Sequence, residues 1–243
     1  MGKDFVRELL KEKNVDEIWM VARRKERLSV MEEDSDGKAR AIALDLTELR
    51  SFEALKELLH EECPQILYLV NAAGAGRMGK VEKIEEKDHA FVLDINVRAL
   101  TIMCRICLPY MHKGSRIIQL CSGSAFLPQP AFASYAASKA YVLSFSRALR
   151  KEVKHKGIMV TLVCPGPVNT EFFKAAGSEI APAKKPFLVE SKDVVAKALK
   201  DAKKGKELSV YGISMKLVHL AGKILPTRLM LFFMSRIVAE NEE

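Results

Sequence analysis

Helical and extended patterns alternate along this sequence, and no other feature constrains its fold as strongly. Apolar strand patterns occur at 17–22, 39–44, 66–70, 116–121, 158–163 and 207–211, and amphipathic helical patterns at 3–12, 23–34, 48–61, 85–111, 133–155 and 192–203. Strands that alternate with helices form a parallel sheet with helices on both faces. The sequence therefore predicts an α/β fold with a Rossmann-type doubly wound parallel sheet.

The length of the chain fits a single domain of this kind. Its 243 residues, of which 49% are hydrophobic, can bury a large core without disulfides. Disordered chains and small disulfide-stapled scaffolds are excluded by the same numbers. We expect one domain over residues 1–212 and an apolar helical tail over 213–243 that packs on it.

The cysteines indicate a reducing compartment rather than a metal site. The chain has five of them, an odd number, and its first residues carry no secretory signal pattern. Cys104 and Cys107 form a C-x-x-C pair, but they lie in an apolar helical pattern without a second pair at zinc-ligand spacing. We expect free thiols, core packing of this pair, no bound metal and a cytoplasmic protein.

The net charge of +8 permits binding to phosphates, nucleic acid or an anionic membrane surface without choosing among them. Many of the lysines lie between residues 174 and 216, where no series of aromatic residues is interleaved with them. Such a series is what single-stranded nucleic acid requires. We therefore expect a solvated lysine-rich face and no nucleic-acid partner.

Chemistry is indicated by Ser122, Tyr135 and Lys139. Tyr135 and Lys139 are four residues apart in a helical pattern, so their side chains lie on one face. A neighbouring ammonium favours the phenolate and should lower the tyrosine pKa toward neutral pH. Ser122 follows a strand, and ligands of such sheets bind beyond the carboxyl ends of the strands. Tyr135 is thus a candidate general acid or base for an alcohol or carbonyl oxygen.

In this context the sequence resembles the short-chain dehydrogenase/reductase family over almost its whole length. Six motifs carry the resemblance, in order: Asp45 after a strand, Asn71-Ala72-Ala73-Gly74, Asn96 in Asp94-Ile95-Asn96-Val97, Ser122, Tyr135-x-x-x-Lys139, and Pro165-Gly166-Pro167-Val168-Asn169-Thr170. The resemblance implies a catalytic tetrad of Asn96, Ser122, Tyr135 and Lys139, in which Asn96 holds a water that links Lys139 to solvent. It further implies hydride transfer between a nicotinamide and a secondary alcohol or ketone. The alternative is a catalytically silent relative that acts as an interaction or regulatory protein.

The resemblance also assigns cofactor contacts. Asp45 would meet the adenine, the segment of Asn71, Ala72 and Gly74 would pass under the adenosine ribose, and Tyr135 and Lys139 would also contact the cofactor. The nicotinamide would lie against Pro165, Gly166, Val168 and Thr170. Arg23 and Arg24 follow the strand pattern at 17–22, where guanidinium groups suit a 2′-phosphate. The sequence therefore favours NADP(H) over NAD(H).

The start of the sequence departs from the family pattern. The last two positions of the family's glycine-rich motif align with Met1 and Gly2, so the first strand and most of the motif are absent from the recorded chain. That strand would lie at the sheet centre, between 17–22 and 66–70. We expect a functional polypeptide that extends about 13 to 17 residues upstream, with a genuine short form as the alternative.

The remaining segments concern the substrate and other partners. Residues 171–190 lack periodicity and are consistent with a mobile lid over the pocket of a small-molecule substrate. The tail at 213–238 could cover an apolar substrate, form a subunit contact or lie on a membrane surface; its basic residues are Lys216, Lys223, Arg228 and Arg236. The resemblance implies a homodimer or homotetramer through the helices at 85–111 and 133–155. Val142, Phe145, Ser146 and Leu149 are the candidates for a shared surface or for the core.

Overall fold

The computed structural model describes residues 1–178 and 186–239. Its strands are β1 (Ile18–Ala22), β2 (Ala39–Ala43), β3 (Ile66–Asn71), β4 (Met111–Leu120), β5 (Met159–Val163), β6 (Val168–Asn169), β7 (Val189–Glu190) and β8 (Leu208–Ser209). Its helices are α1 (Gly2–Leu9), α2 (Lys25–Glu33), α3 (Leu49–Glu62), α4 (Glu86–Leu93), α5 (Ala99–Cys107), α6 (Ala133–Glu152), α7 (Phe172–Ala175), α8 (Ser191–Lys203), α9 (Ile213–Ile224) and α10 (Thr227–Ala239). The main helices and strands follow the order that the sequence predicts, whereas β6, α7 and β7 lie in a segment for which it predicts no regular element.

The strands pair in parallel and are flanked by helices, which confirms the Rossmann-type α/β fold. The largest sheet has the order β3-β4-β5-β8, and β1 pairs with β2 in a second piece. Ile117, Ile118 and Leu162 are fully buried in the middle of the larger sheet. Helices α5 and α6 contribute to the core cluster that includes Ile117 and Leu162, whereas α1 and α8 contribute to the one that includes Ile118. A sheet buried on both faces explains why its strands are continuous apolar runs.

The sheet is divided between β1 and β3. Within the described part of the chain, β1 pairs only with β2, and β3 pairs only with β4, so each strand has one unpaired edge. One core cluster nevertheless connects the two pieces, because Phe5 and Leu9 of α1 pack with Ile18 of β1 and Tyr68 of β3. Unpaired edges in the middle of a fold leave backbone N–H and C=O groups without partners.

The prediction of one continuous helix over 85–111 is wrong, both because the helix is interrupted and because it ends earlier. It is divided into α4 and α5 by a π-helical turn at Asp94–Arg98, and a 3-10 turn at Leu108–Tyr110 follows α5. Pro109 lies in that turn and cannot continue an α-helix. As a consequence, β4 begins at Met111 rather than near Arg116.

The cysteine pair of α5 and most of the candidate surface residues of α6 are buried in the core. Cys104 and Cys107 are buried in the core as free thiols, which confirms that this pair packs in the core. Val142, Ser146 and Leu149 are also buried within the chain, because they face the sheet, and they cannot form a shared surface. Phe145 is only partly buried and stacks on the exposed ring of Tyr141, with 5.7 Å between the ring centroids.

The lid and tail segments fall partly outside the described residues. Residues 179–185, which include Pro182, lie outside them, as do residues 240–243. The described part of the expected lid contains α7, whose end is hydrogen-bonded to the loop after β3, because Met78 N–H donates to Ala176 O at 3.0 Å. The described tail forms α9 and α10.

The unpaired edges of β1 and β3 generate a stability prediction. We expect that adding a segment before Met1, with an apolar strand and a Thr-Gly-x-x-x-Gly turn, raises the melting temperature by at least about 4 °C, because it satisfies both edges. Differential scanning calorimetry of the two polypeptides measures the shift, and a Gly/Ser segment of equal length is the control. If both extensions leave the melting temperature unchanged, a parallel strand does not fill this gap.

Candidate active site

Four side chains expected in catalysis converge near the carboxyl end of β4. Ser122 lies just after this strand, Tyr135 and Lys139 lie one turn apart on α6, and Asn96 lies in the π-helical turn between α4 and α5. Tyr135, Lys139 and Asn96 are buried, with 8%, 4% and 1% of their surfaces exposed. Buried polar groups at the carboxyl ends of parallel strands are typical of ligand sites in this fold.

Lys139 joins α6 to the sheet. Its ammonium donates a hydrogen bond to Leu120 O at 2.9 Å and lies 5.5 Å from the centroid of the Tyr135 ring. Burial lowers the pKa of this ammonium from its ordinary value. The side chain thus places a cation, or a readily deprotonated amine, directly beside the candidate acid.

Tyr135 lies beneath an apolar cover. Its ring stacks on Phe132 with the centroids 4.3 Å apart, and Phe172 of α7 lies 5.2 Å away. Burial raises the pKa of Tyr135 above its ordinary value, and a hydrogen bond with Ser122 reverses only part of that change. The expected lowering by Lys139 is therefore wrong for this arrangement, because the desolvation of the phenol dominates. Burial therefore favours the protonated phenol of Tyr135.

Asn96 is held by three hydrogen bonds. Its amide accepts from Ala75 N at 2.9 Å, and it donates to Ala75 O at 2.8 Å and to Ser138 Oγ at 2.9 Å. Ser138 Oγ in turn donates to Tyr135 O at 2.7 Å. Asn96 and Lys139 meet at Gly74, where a Cβ atom would lie 3.1 Å from Asn96 Oδ1 and 3.5 Å from Lys139 Nζ. Gly74 therefore permits the loop after β3 to pass close to both groups.

Ser122 caps the short turn that follows β4. Its hydroxyl oxygen accepts from Ser124 N at 3.1 Å, so its own hydrogen can still be donated to another group. The segment at Pro165 lies beside it, since Gly123 N donates to Pro165 O at 2.9 Å. Gly166 packs against Met215 of α9.

The other residues of the Pro165 segment lead to the cover. Val168 is buried in β6, where it pairs with Val189. Thr170 Oγ1 accepts from Phe172 N at 3.4 Å and thereby supports the start of α7. The segment expected to meet the nicotinamide is thus continuous with the apolar cover of Tyr135.

A second group of charged residues lies at the ends of β1 and β2. Asp45 accepts hydrogen bonds from the Thr47 N–H and hydroxyl, and its carboxylate lies 3.7 Å from the Arg23 guanidinium. Burial alone would raise the pKa of Asp45. The hydrogen bonds from Thr47 and the charge of Arg23 outweigh this effect, so the pKa of Asp45 lies below its ordinary value. Arg23 also lies over the Phe91 ring, at 5.1 Å from its centroid.

Two members of this group were not predicted. Glu171 lies 2.8 Å from Arg27 and 3.7 Å from Arg24, so one carboxylate bridges two guanidinium groups. The hydrogen bond from Arg27 and its charge lower the pKa of Glu171. Arg27 could have been found from the sequence, because it lies four residues after Arg23 and so on the same side of a helical pattern. Nothing in the sequence pairs Arg24 or Arg27 with Glu171, which is more than 140 positions away.

Of the residues expected near the adenosine, Asn71 faces the core, whereas Gly2 and Ala72 face each other. Asn71 points into the core, where its amide donates to Gln119 Oε1 at 2.9 Å. Gly2, in the first turn of α1, faces Ala72, and a Cβ on Gly2 would lie 3.7 Å from the Ala72 Cβ. The structure therefore brings α1 and the loop after β3 together, while the Asn71 side chain anchors that loop.

Sequence reasoning missed the residues that close the site. Phe132, Phe172, Met215 and Ser138 are apolar or small polar residues whose positions depend on tertiary packing. Gly76 shows how tightly the cover is packed, because a Cβ there would lie 2.8 Å from Phe132 and 2.9 Å from Phe172. Only Ser138 had a local signal, since it lies three residues after Tyr135 and directly before Lys139.

Comparisons with known proteins show the family to which the chain belongs. The short chain dehydrogenase family profile matches residues 1–181. An uncharacterized oxidoreductase of Staphylococcus epidermidis is 27% identical over 184 residues, which cover 75% of this chain and 79% of that protein. The 3-ketodihydrosphingosine reductase of Bacteroides thetaiotaomicron is 35% identical over 138 residues, 56% of this chain and 51% of that protein.

Solved structures support the fold. A short-chain dehydrogenase from Sphingobium yanoikuyae in complex with NADPH has a TM-score of 0.78 at 24% identity, covering 95% of this chain and 90% of its own. A short-chain dehydrogenase/reductase from Burkholderia phymatum in complex with NAD has a TM-score of 0.79 at 18% identity. The match covers 91% of this chain and 89% of that protein. The chain belongs to the short-chain dehydrogenase family. It is an oxidoreductase that acts on CH–OH groups with NAD(P).

The hydrogen bonds of Ser138 generate a prediction about the site's stability. We expect Ser138→Ala to lower the free energy of unfolding by about 1 to 3 kcal/mol, because it leaves a buried Asn96 N–H without its acceptor. Urea denaturation measures the loss. The matched control is Ser146→Ala on the same helix, since Ser146 Oγ is buried without a hydrogen-bond partner in the described structure and should lose little. Equal losses in both variants would contradict the role given to Ser138.

Proposed function

We propose that this protein is an NADP(H)-dependent oxidoreductase that interconverts a secondary alcohol and a ketone, with Tyr135 as the general acid or base. The observation that carries the proposal is the convergence of Ser122, Tyr135 and Lys139 near the end of β4. A hydroxyl, a phenol and an ammonium at one point can bind and protonate one oxygen atom. The intact arrangement speaks against the alternative of a catalytically silent relative.

The residues present fit a dinucleotide at both of its ends. Gly74 keeps the loop after β3 free of a side chain beside Asn96 and Lys139, as close passage of a ribose requires. We propose that the adenosine half is held by Gly2, Asn71, Ala72, Gly74 and Asp45, and the nicotinamide half by Pro165, Gly166, Val168 and Thr170 together with Tyr135 and Lys139. When bound, NADP(H) supplies or accepts a hydride.

The chain's own residues then handle the substrate oxygen and its proton. Ser122 Oγ donates a hydrogen bond to this oxygen, and Tyr135 Oη transfers its proton to it during reduction. The raised pKa of Tyr135, which follows from burial, keeps this proton in place at neutral pH until substrate arrives. The Lys139 ammonium stabilises the phenolate that remains. Asn96 and Ser138 fix the helix that carries both groups.

We propose an apolar substrate. Phe132 and Phe172 cover the Tyr135 ring, and Met215 packs against Gly166 and against Gly123, the residue after Ser122. Aromatic and thioether side chains around the reacting groups favour a hydrocarbon-bearing ketone over a sugar-derived one. The name of the sphingoid-base reductase to which the chain is similar agrees with this substrate class.

We further propose a cytoplasmic homo-oligomer. All five cysteines are free thiols, as expected in a reducing compartment. The rings of Tyr141 and Phe145 stack at the outer side of α6, and Tyr141 OH lies 2.9 Å from Thr101 Oγ1 of α5. Tyr141 is 39% exposed and Leu93 at the end of α4 is 45% exposed, which suits a two-fold contact through these helices.

The role of Tyr135 is tested by Tyr135→Phe. We expect kcat for ketone reduction to fall at least about 10²-fold while NADPH affinity changes little, because only the proton donor is lost. Steady-state kinetics over a panel of apolar ketones and fluorescence titration of NADPH measure the two quantities.

Tyr141→Phe is the matched control, since it removes an exposed hydroxyl from the same helix without touching the site. It should retain wild-type turnover. If Tyr135→Phe retains it as well, Tyr135 is not the proton donor. A wild-type protein that binds NADPH but reduces no ketone would favour the silent alternative.

The preference for NADP(H) is tested at Arg23 and Arg24. Replacing both with Ala should weaken NADPH binding more than tenfold relative to NADH, because a charge-assisted contact with the 2′-phosphate is lost. Calorimetric titration with each cofactor measures the ratio. Arg50→Ala with Arg105→Ala removes the same charge from exposed positions elsewhere and should leave the ratio unchanged. Equal weakening of both cofactors in the Arg23/Arg24 variant would show that these guanidiniums do not contact the phosphate.

A further inference from the structure

Helix α9 has an inner face that packs on the protein beside the active site. Met215, His219 and Gly222 are spaced four and three residues apart and therefore share this face. Met215 packs against Gly123, and the His219 ring lies 4.5 Å from the Phe126 ring centroid. These contacts fix the orientation of the helix.

The opposite face of α9 is apolar and exposed. Ile213, Leu217, Leu220 and Ile224 are again four, three and four residues apart, and their side chains are 78%, 61%, 52% and 68% exposed. Leu229 at the start of α10 adds another exposed aliphatic side chain, at 42%. We call these five residues the α9–α10 surface. Contiguous exposed apolar residues of this kind usually mark a binding surface.

The charged residues of the segment that forms α9 and α10 have one sign. Lys216, Lys223 and Arg228 are exposed beside the α9–α10 surface. Between Glu207 and Glu240 the sequence contains no acidic residue, although acidic residues number 31 in the 243-residue chain. The partner that fits is therefore apolar in its interior and anionic at its surface.

We propose that the α9–α10 surface docks on an anionic lipid bilayer. An amphipathic helix with aliphatic residues on one face and lysines beside it lies in the interface, where acyl chains receive the former and headgroups the latter. Among the residues that the structure describes, no helix is long and apolar enough to cross a membrane.

A second copy of this chain fits the surface less well. Pairing two such surfaces would place the positive charge of Lys216, Lys223 and Arg228 against the same charge on the other copy, and the segment 208–239 has no acidic residue to compensate. Like charges within a Debye length repel, and their desolvation adds a further penalty. The anionic bilayer is thus the occupant that charge complementarity selects.

The charge component is tested by flotation of the full chain with phosphatidylcholine vesicles that contain or lack phosphatidylserine. We expect binding to the anionic vesicles that weakens as salt rises, and little binding to the neutral ones. The triple variant Lys216→Gln, Lys223→Gln and Arg228→Gln should lower the partition coefficient at least about tenfold, since each basic residue near an anionic surface contributes several-fold. The variant Lys151→Gln, Lys192→Gln and Lys200→Gln carries the same charge change on exposed positions elsewhere and should bind as the wild type does.

The apolar component is tested with Leu217→Ser and Leu220→Ser together. These side chains are exposed, so circular dichroism should show an unchanged fold, while vesicle binding falls at least about tenfold through lost acyl-chain contact. Val30→Ser with Val81→Ser removes equally exposed side chains elsewhere, at 54% and 61%, and is the control.

The outcomes separate the proposal from its competitors. Absence of wild-type binding to anionic vesicles at low salt, or an equal loss in surface and control variants, overturns it. It is also overturned if the Leu217/Leu220 variant changes a dimer into a monomer in light scattering while vesicle binding is unchanged, because the surface is then a self-contact. None of these measurements depends on turnover, so they stand apart from the proposed activity.

Discussion

The hydrogen bond from the buried Lys139 ammonium to Leu120 O organises the active site. A charge that is only 4% exposed must find partners, and this one finds a backbone carbonyl and the face of an aromatic ring. The bond fixes α6 against the end of β4, which brings Tyr135 and Ser122 to the same point. Burial lowers the pKa of Lys139 and raises that of Tyr135, because it favours the uncharged form of each group. A ligand that adds an acceptor or a dipole beside Lys139 will therefore change the chemistry of both.

Local patterns in the sequence were sufficient for the order of the main elements and for the shared face of Tyr135 and Lys139, whereas Asn96 was expected only from the family resemblance. The alternation of strands and helices, and the spacing of Tyr135 and Lys139, depend on neighbouring residues only, and the structure reproduces them. The π-helical turn at Asp94–Arg98 has no such sequence signal. Its hydrogen bonds span one more residue than those of an α-helix, and the same residue types can form either. That turn nevertheless places Asn96, whose amide faces the loop after β3 and Ser138.

Electrostatic features were less predictable because they arise from distant parts of the chain. The expected lowering of the Tyr135 pKa considered one neighbouring charge, but Phe172 arrives from a segment nearly forty residues later and excludes water. In the same way, Glu171 comes to lie between Arg24 and Arg27 only through the fold. Because Glu171 already pairs with Arg24 and Arg27, a 2′-phosphate that bound there would compete with this carboxylate as well as with water.

The two faces of α9 connect the proposed chemistry with the proposed location. Met215 on the inner face packs on Gly123 and Gly166, and Leu217 on the outer face is exposed two residues later. A bilayer that contacts the outer face is therefore separated from the edge of the active site by the thickness of one helix, about 10 Å. On this proposal, an apolar ketone dissolved in the bilayer lies within about one helix diameter of Gly123, the residue next to Ser122. The same short helix would thus determine both which substrates are available and where the enzyme meets them.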